Sequence, residues 1–218
     1  MPPPARSFRA GADRLFPGDC APLLAQVRLE SMPSRKHADV YQLRITLSEV
    51  TPPIWRRLLV PGSMTLGKLH VLLQEAMGWT DSHLHCFEFG DRRFGMVGIE
   101  EDADDLEDER KTRIATLLQR KGDQLLYQYD YGDGWEHVVA VESVMPPDER
   151  LHYPLCVGGA RACPPEDCGG VHGYEEFLAA IATPKDSEHD RMLTWIGGYF
   201  DPESFDANAV NRAIRMHR

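Results

Sequence analysis

The chain has 218 residues, of which 42% are apolar, enough to close the core of one domain with appendages and too many for a wholly disordered polypeptide. A formal net charge of -10 offers none of the basic excess that accompanies binding to a phosphate backbone, so nucleic acid is not an expected partner. No stretch reaches the roughly 18 uninterrupted apolar residues of a membrane helix, and the N-terminus lacks the apolar run of a secretory signal; a cytoplasmic location is expected.

Residues 1–37 are rich in proline, arginine and small residues and read as a partly disordered extension in front of a domain spanning 38–218. From there Tyr41, Leu43, Ile45 and Leu47 alternate with polar residues, the period of a half-buried strand. Thr51-Pro52-Pro53 turns the chain into a second strand through Ile54, Leu58 and Val60, closed by Pro61-Gly62. Thr65 then caps a helix whose Leu66, Leu69, Leu72, Leu73, Ala76 and Met77 recur at three- and four-residue spacing, with Gly78 placed to end it. That helix is expected to cover one face of a sheet.

His85, Phe87 and Phe89 form a third alternating run, turned at Gly90-Asp91. Residues 100–109, EEDADDLEDE, carry eight acidic groups, so the remainder of the chain holds -10 + 8 = -2. Like charges at that density repel, and the run is expected to be a solvated loop that the fold can do without. A short helical piece around Ile114 to Leu118 precedes the clearest hairpin, in which Leu125, Tyr127, Tyr129 and Tyr131 alternate, and Trp135, His137, Val139 and Val141 answer them across Gly132-Asp133-Gly134. The C-terminal third reads as helical, ending in a helix capped by Asp206 with Phe205 and Val210 spaced for a hydrophobic staple. The element order predicts an α+β fold, specifically a β-grasp (ubiquitin-like) mixed sheet with a packed helix and a helical C-terminal extension.

Two constellations carry chemistry. The cysteines number five, too few and too unpaired for a disulfide framework. Cys156, Cys163 and Cys168 fall within thirteen residues in a loop of glycines and prolines, a set that can hold zinc if His172, His137 or Asp167 completes the tetrahedron. The alternative is small buried thiols that pack the loop. Around the hairpin turn, Tyr129, Asp130, Tyr131, Asp133, Trp135 and His137 can line a pocket in which rings sandwich a planar ligand while carboxylates fix its polar groups. Aromatic core packing is the competing reading. His83 and His85 flank Leu84 with a spacing some metal sites use, or are ordinary surface or core histidines, and Trp55 with Arg56 and Arg57 can hold an anion or a nucleic-acid base or stand as solvent-facing stacked residues.

PPIWRRLLVP (52–61), TLGKLHVLLQEAMGW (65–79), HLHCFEFG (83–90), YQYDYGDGWEHVV (127–139), CVGGARACPPEDCGGVHGYEEFL (156–178) and WIGGYFDPESFDANAVN (195–211) closely resemble the plasmid pRiA4b ORF-3-like family. Some members carry the label of an insertion-element passenger protein, TnpR-like. The resemblance implies an α+β domain often borne on plasmids and mobile elements and brings no established activity. Arg56-Arg57 and Arg92-Arg93 stand without a recombinase signature. Three functions follow as expectations: a non-catalytic module binding a protein or small molecule, a metal-assisted hydrolase using the cysteine loop and His137, or a DNA-associated accessory protein of mobile elements.

Overall fold

The computed structural model describes residues 39–98 and 105–216, so the expected extension at 1–37 lies outside the described residues. The fold is α+β, built on an eight-stranded sheet. Its strands are β1 (Val40–Leu47), β2 (Trp55–Pro61), β3 (His85–Phe89), β4 (Arg92–Gly95), β5 (Leu106–Asp108), β6 (Gln124–Tyr129), β7 (Trp135–Met145) and β8 (Leu155–Ala160). They lie in the order β5-β4-β3-β6-β7-β1-β2-β8. Every pairing is antiparallel except β4 with β5 at one edge.

Alternation places Leu43 and Ile45 of β1, Leu125 and Tyr127 of β6, and Trp135, His137 and Val139 of β7 on the buried side. Helix α1 (Leu66–Met77) lies across that face, since its His70 and Gln74 both reach Tyr127 of β6. Its ends are those the sequence announces. The Thr65 hydroxyl accepts from the Lys68 N–H, and Gly78 leaves the helix at φ 85°, a left-handed conformation that costs glycine little.

After the four-residue α2 (Ile114–Leu117), the C-terminal part supplies α3 (Gly170–Ala182), α4 (His189–Ile196) and α5 (Ala207–Met216). Asp206 caps α5 by accepting from the Asn208 N–H, and Phe205 and Val210 both pack on the core. Phe205 also lies over Gly159 so closely that an added Cβ would sit 2.5 Å from the ring. The Arg56 guanidinium also lies over the Phe205 ring, 4.7 Å from its centre. No described helix is long and apolar enough to cross a membrane.

Three expectations are corrected here. The acidic run is not wholly a solvated loop: among its described members, Leu106–Asp108 pair with β4, Glu107 makes a two-pronged ion pair with Arg92, and Glu109 is buried against His85. A run of like charges can enter a fold when each carboxylate finds its own donor. Arg56 is likewise not a solvent-facing stacker. It is buried and donates to the carbonyls of Trp55, Ala76 and Ala160, which ties β2 to α1 and β8; it is Arg44 and Arg57 that stack on Trp55. Tyr131 does not continue the alternation, because β6 ends at Tyr129 and Tyr131 stands exposed in the turn.

Candidate functional site

The segment between α1 and β3, residues 79–84, organises two polar clusters. Trp79 donates through Nε1 to the Pro164 carbonyl at 2.9 Å and stacks on Tyr129. Thr80 gives both its N–H and its hydroxyl to Glu166, and the Ser82 N–H bonds the Tyr129 hydroxyl, which itself donates to Glu166 at 2.6 Å. Burial opposes ionisation of Glu166, but the hydrogen bonds from Thr80 and Tyr129 outweigh it and hold the carboxyl below its usual range. Six residues of chain thus fasten the loop 161–169 to the end of β6.

On the inner side of this segment lie His70 of α1 and His85 of β3, their rings stacked with centres 3.4 Å apart and planes 4° from parallel. His70 Nδ1 meets the Tyr127 hydroxyl at 2.8 Å and its Nε2 meets Asp81 at 2.7 Å. Burial, followed by the neighbouring His85, lowers the His70 pKa and favours the neutral ring. His85 Nε2 bonds the buried Glu109 carboxylate at 2.7 Å, while its Nδ1 is buried without a hydrogen-bond partner.

On the outer side, His83 faces the turn between β6 and β7 and the loop 161–169. Its Nε2 lies 3.3 Å from Asp167 and 3.7 Å from Asp130, off hydrogen-bonding alignment with either. Ligand atoms of His83, Asp130 and Asp167 come within 4.8 Å of one another. Asp130 and Asp167 both adopt positive φ, 56° and 58°, and Asp130 Oδ1 is occupied by the N–H groups of Gly132 and Asp133. The two segments are sewn together a second time where the Gly169 N–H donates to Asp133 at 3.2 Å. Gly170, at φ 69°, approaches the Asp133 carbonyl so closely that any Cβ would collide with it. Beside Asp167 opens a cleft of about 190 Å³ whose walls include Glu176, Phe177 and the half-exposed Trp195.

Of the residues expected to line a pocket, Tyr129, Asp130 and Asp133 stand at this junction and Tyr131 at its exposed turn. Trp135 and His137 do not reach it. Both are in the core, where His137 presents an edge to Trp79 and bonds the Tyr127 carbonyl. Full burial brings the His137 pKa down to about 4. Among the described residues, Cys156, Cys163, Cys168 and His172 form no group of three with ligand atoms within 4.8 Å of one another. Cys156 packs in β8, Cys163 accepts from Arg56 Nη2 at 3.1 Å, and His172 is exposed and paired with Glu176. Burial pushes the thiols of Cys163 up to about 11 and Cys168 up to about 12, which favours the uncharged form. Glycines of this loop serve packing: Gly159 seats Phe205 over β8, and Gly170 sets the start of α3 against the hairpin turn.

A family model described as plasmid pRiA4b ORF-3-like protein matches residues 39–209. The chain belongs to that family. It is 38% identical over 179 residues to the uncharacterized protein y4hQ of Sinorhizobium fredii, covering 81% of this chain and 91% of the relative. The crystal structure of MM3350 from Methanosarcina mazei Go1, titled a protein of unknown function, superposes with a TM-score of 0.72 at 38% identity, covering 78% of this chain and 96% of that one.

The sequence reasoning missed four polar residues of this family member: His70, Asp81, Glu109 and Glu166. His70 and Gln74 carried a signal, because they sit four residues apart inside the apolar stripe of α1, a place where polar side chains need partners. Glu109 had none beyond being the last acid of its run. His83 and His85 were singled out together, and the structure sends them to different clusters because His83 precedes β3 and escapes its alternation.

Proposed function

We propose that this protein is a cytoplasmic, non-catalytic binding module whose grasp-like sheet and helix hold a recognition site at the junction of the β6–β7 turn with the loop 161–169, and that its ligand is positively charged. The observation that carries the reading is the convergence of Asp130 and Asp167 on His83, whose Nε2 has no hydrogen-bond partner. The carboxylates of Asp133 and Glu166 stand close by, engaged with Gly169 and with Thr80 and Tyr129. In the adjoining cleft, Asp167 and Glu176 offer further negative charge and Trp195 offers a ring face, the combination that suits an ammonium or guanidinium group. Arg191 is engaged there by Glu188. A basic side chain of a partner protein or a small amine fits this chemistry.

The test is calorimetric titration with N-acetyl-arginine amide and N-acetyl-lysine amide. Saturable binding of at least one, lost in Asp167→Asn and weakened in Trp195→Ala, is expected. Absence of binding in the unsubstituted chain, or affinity unchanged in Asp167→Asn, would sink the proposal.

A further inference from the structure

Asp130, Asp133, Glu166 and Asp167 bring four carboxylates to the junction, and among the described residues no lysine or arginine forms an ion pair with any of them. Asp133 is answered by the Gly169 N–H, and Glu166 by Thr80 and Tyr129. Asp130 and Asp167 instead face His83 Nε2, from 3.7 and 3.3 Å. The Asp130 side chain is nine-tenths buried. Its Oδ1 accepts from the N–H groups of Gly132 and Asp133, whereas its Oδ2 stands beyond hydrogen-bonding distance of His83. The His83 Nε2 atom is itself shut off from solvent and has no hydrogen-bond partner. A carboxylate buried to that extent needs positive charge beside it, which a neutral imidazole does not supply. An imidazolium would hold one of the two aspartates by a hydrogen bond, and neither is aligned to accept it.

We infer that His83 Nε2, Asp130 Oδ2 and Asp167 Oδ1 are the protein ligands of a divalent first-row metal ion, with a further position open to solvent beside the exposed Asp167. Separations of 3.3 and 3.7 Å are those of atoms each about 2.1 Å from one ion and roughly 100° to 125° apart around it, the angles of a four-coordinate site. A lone pair directed at such a point runs between the two carboxylates and is aligned with neither, as is the case for Nε2. Charge agrees, since the two aspartates supply two negative charges against the two of the ion. An imidazole among the donors selects Mn2+, Fe2+ or Zn2+ over Mg2+ and Ca2+, which take oxygen ligands. The ligands are also held in place by bonds of their own. The Asp130 N–H donates to the Leu84 carbonyl next to His83, the Gly169 N–H to Asp133, and the His83 ring stands edge-on to Tyr129. His70, Asp81 and His85 come as close together, but the two imidazoles are stacked with planes 4° apart, so their in-plane lone pairs run side by side and cannot meet at one ion. The assignment rests on the reading of the junction as a cation site and adds a metal ion at the head of the cleft, with Asp167 common to the ion and to the organic cation beside Trp195.

The experiment uses the full chain, stripped with a chelator and titrated with Mn2+, whose free-ion paramagnetic resonance signal disappears on binding. One Mn2+ per chain is expected, with spin-echo modulation from a single coordinated imidazole nitrogen and displacement by Zn2+, which such donors hold more tightly. His83→Gln should remove the nitrogen modulation. His83→Gln and Asp130→Asn should each weaken Mn2+ binding by at least about tenfold, since losing even a residue hydrogen-bonded behind a ligand costs about 10- to 100-fold. Circular dichroism checks the fold; should Asp130→Asn not fold, His83→Gln decides. Asp81→Asn and Trp195→Ala should leave the titration unchanged. The assignment is overturned if no stoichiometric Mn2+ binds, if the nitrogen modulation survives in His83→Gln, or if Asp81→Asn loses the ion. The arginine and lysine amides, titrated into His83→Gln and into the unsubstituted chain, separate the two readings. Amide binding without Mn2+ binding overturns the metal alone, and Mn2+ binding without amide binding supports the metal and overturns the organic cation alone.

Discussion

His83 and His85 are separated by one residue, yet they belong to opposite kinds of environment. His85, with His70 and His137, surrounds the Tyr127 ring in the interior, where each histidine is buried. His83 sits just before β3, half-buried between the exposed Asp167 and the buried Asp130. The interior set is held by a few short bonds in a medium that screens charge poorly, so a lost partner or an added proton acts on the whole fold. In the outer set the exposed Asp167 is screened by solvent, and the backbone is fixed by other bonds, so a change at that side chain stays local. The bonds that hold the interior and the junction proposed for recognition thereby lie on the two sides of one short segment.

Acid should divide these regions most strongly. The His137 pKa falls from an ordinary 6.5 to about 4 because full burial disfavours the charged ring. Between those values the unfolded chain binds the proton and the folded chain does not. Stability is therefore intact above 6.5 and declines as pH drops toward 4, by about 3 kcal/mol from this residue. Urea unfolding at a series of pH values checks this, and His137→Leu, which takes no proton, should flatten the profile. Next in size is Glu109→Ala, which leaves His85 Nε2 without its acceptor; a loss of about 2 kcal/mol at neutral pH is expected from denaturant midpoints. Tyr127→Phe removes a hydroxyl shared by His70 and Gln74 and should cost about 1 kcal/mol by the same measurement. Smallest is Asp167→Asn on the outer side, expected to move stability by less than about 0.5 kcal/mol while removing cation binding. An outer substitution as damaging as Glu109→Ala would erase the contrast.

Much of the scaffold is legible along the chain because its signals are local. The Thr65 cap, the Gly78 stop, the alternation of Tyr127 and Tyr129 against Trp135 and His137, and the Asp206 cap each need only neighbouring residues, and the structure carries all of them. The short strands β4 and β5 were not legible. Arg92–Gly95 and Leu106–Asp108 have little apolar period, and their pairing is set by Phe94 packing inward and by Arg92 meeting Glu107 across the sheet. The hairpin turn and the cysteine loop were both picked out as chemically active, but their meeting through Glu166 and Asp167 depends on pairing across long stretches of chain. Closeness in sequence pointed to the thiols, whereas the side chains that converge are histidines and carboxylates. Three-dimensional proximity of His70, Asp81 and His85 comes from laying α1 over β3, which no spacing in the sequence encodes.

The parallel pair β4–β5 has a consequence beyond the site. It leaves β5 as the outermost strand of the sheet, and an outer strand offers unpaired backbone groups to any other chain that presents an extended segment. Here that strand is three residues long, flanked by Asp105 and Glu109, with Glu107 and Asp108 within it. A second molecule approaching edge to edge would bring an identical row of carboxylates against this one. Among the described residues, Asp105, Glu107 and Asp108 thus set like charges against edge-to-edge pairing of two copies at this margin of the sheet.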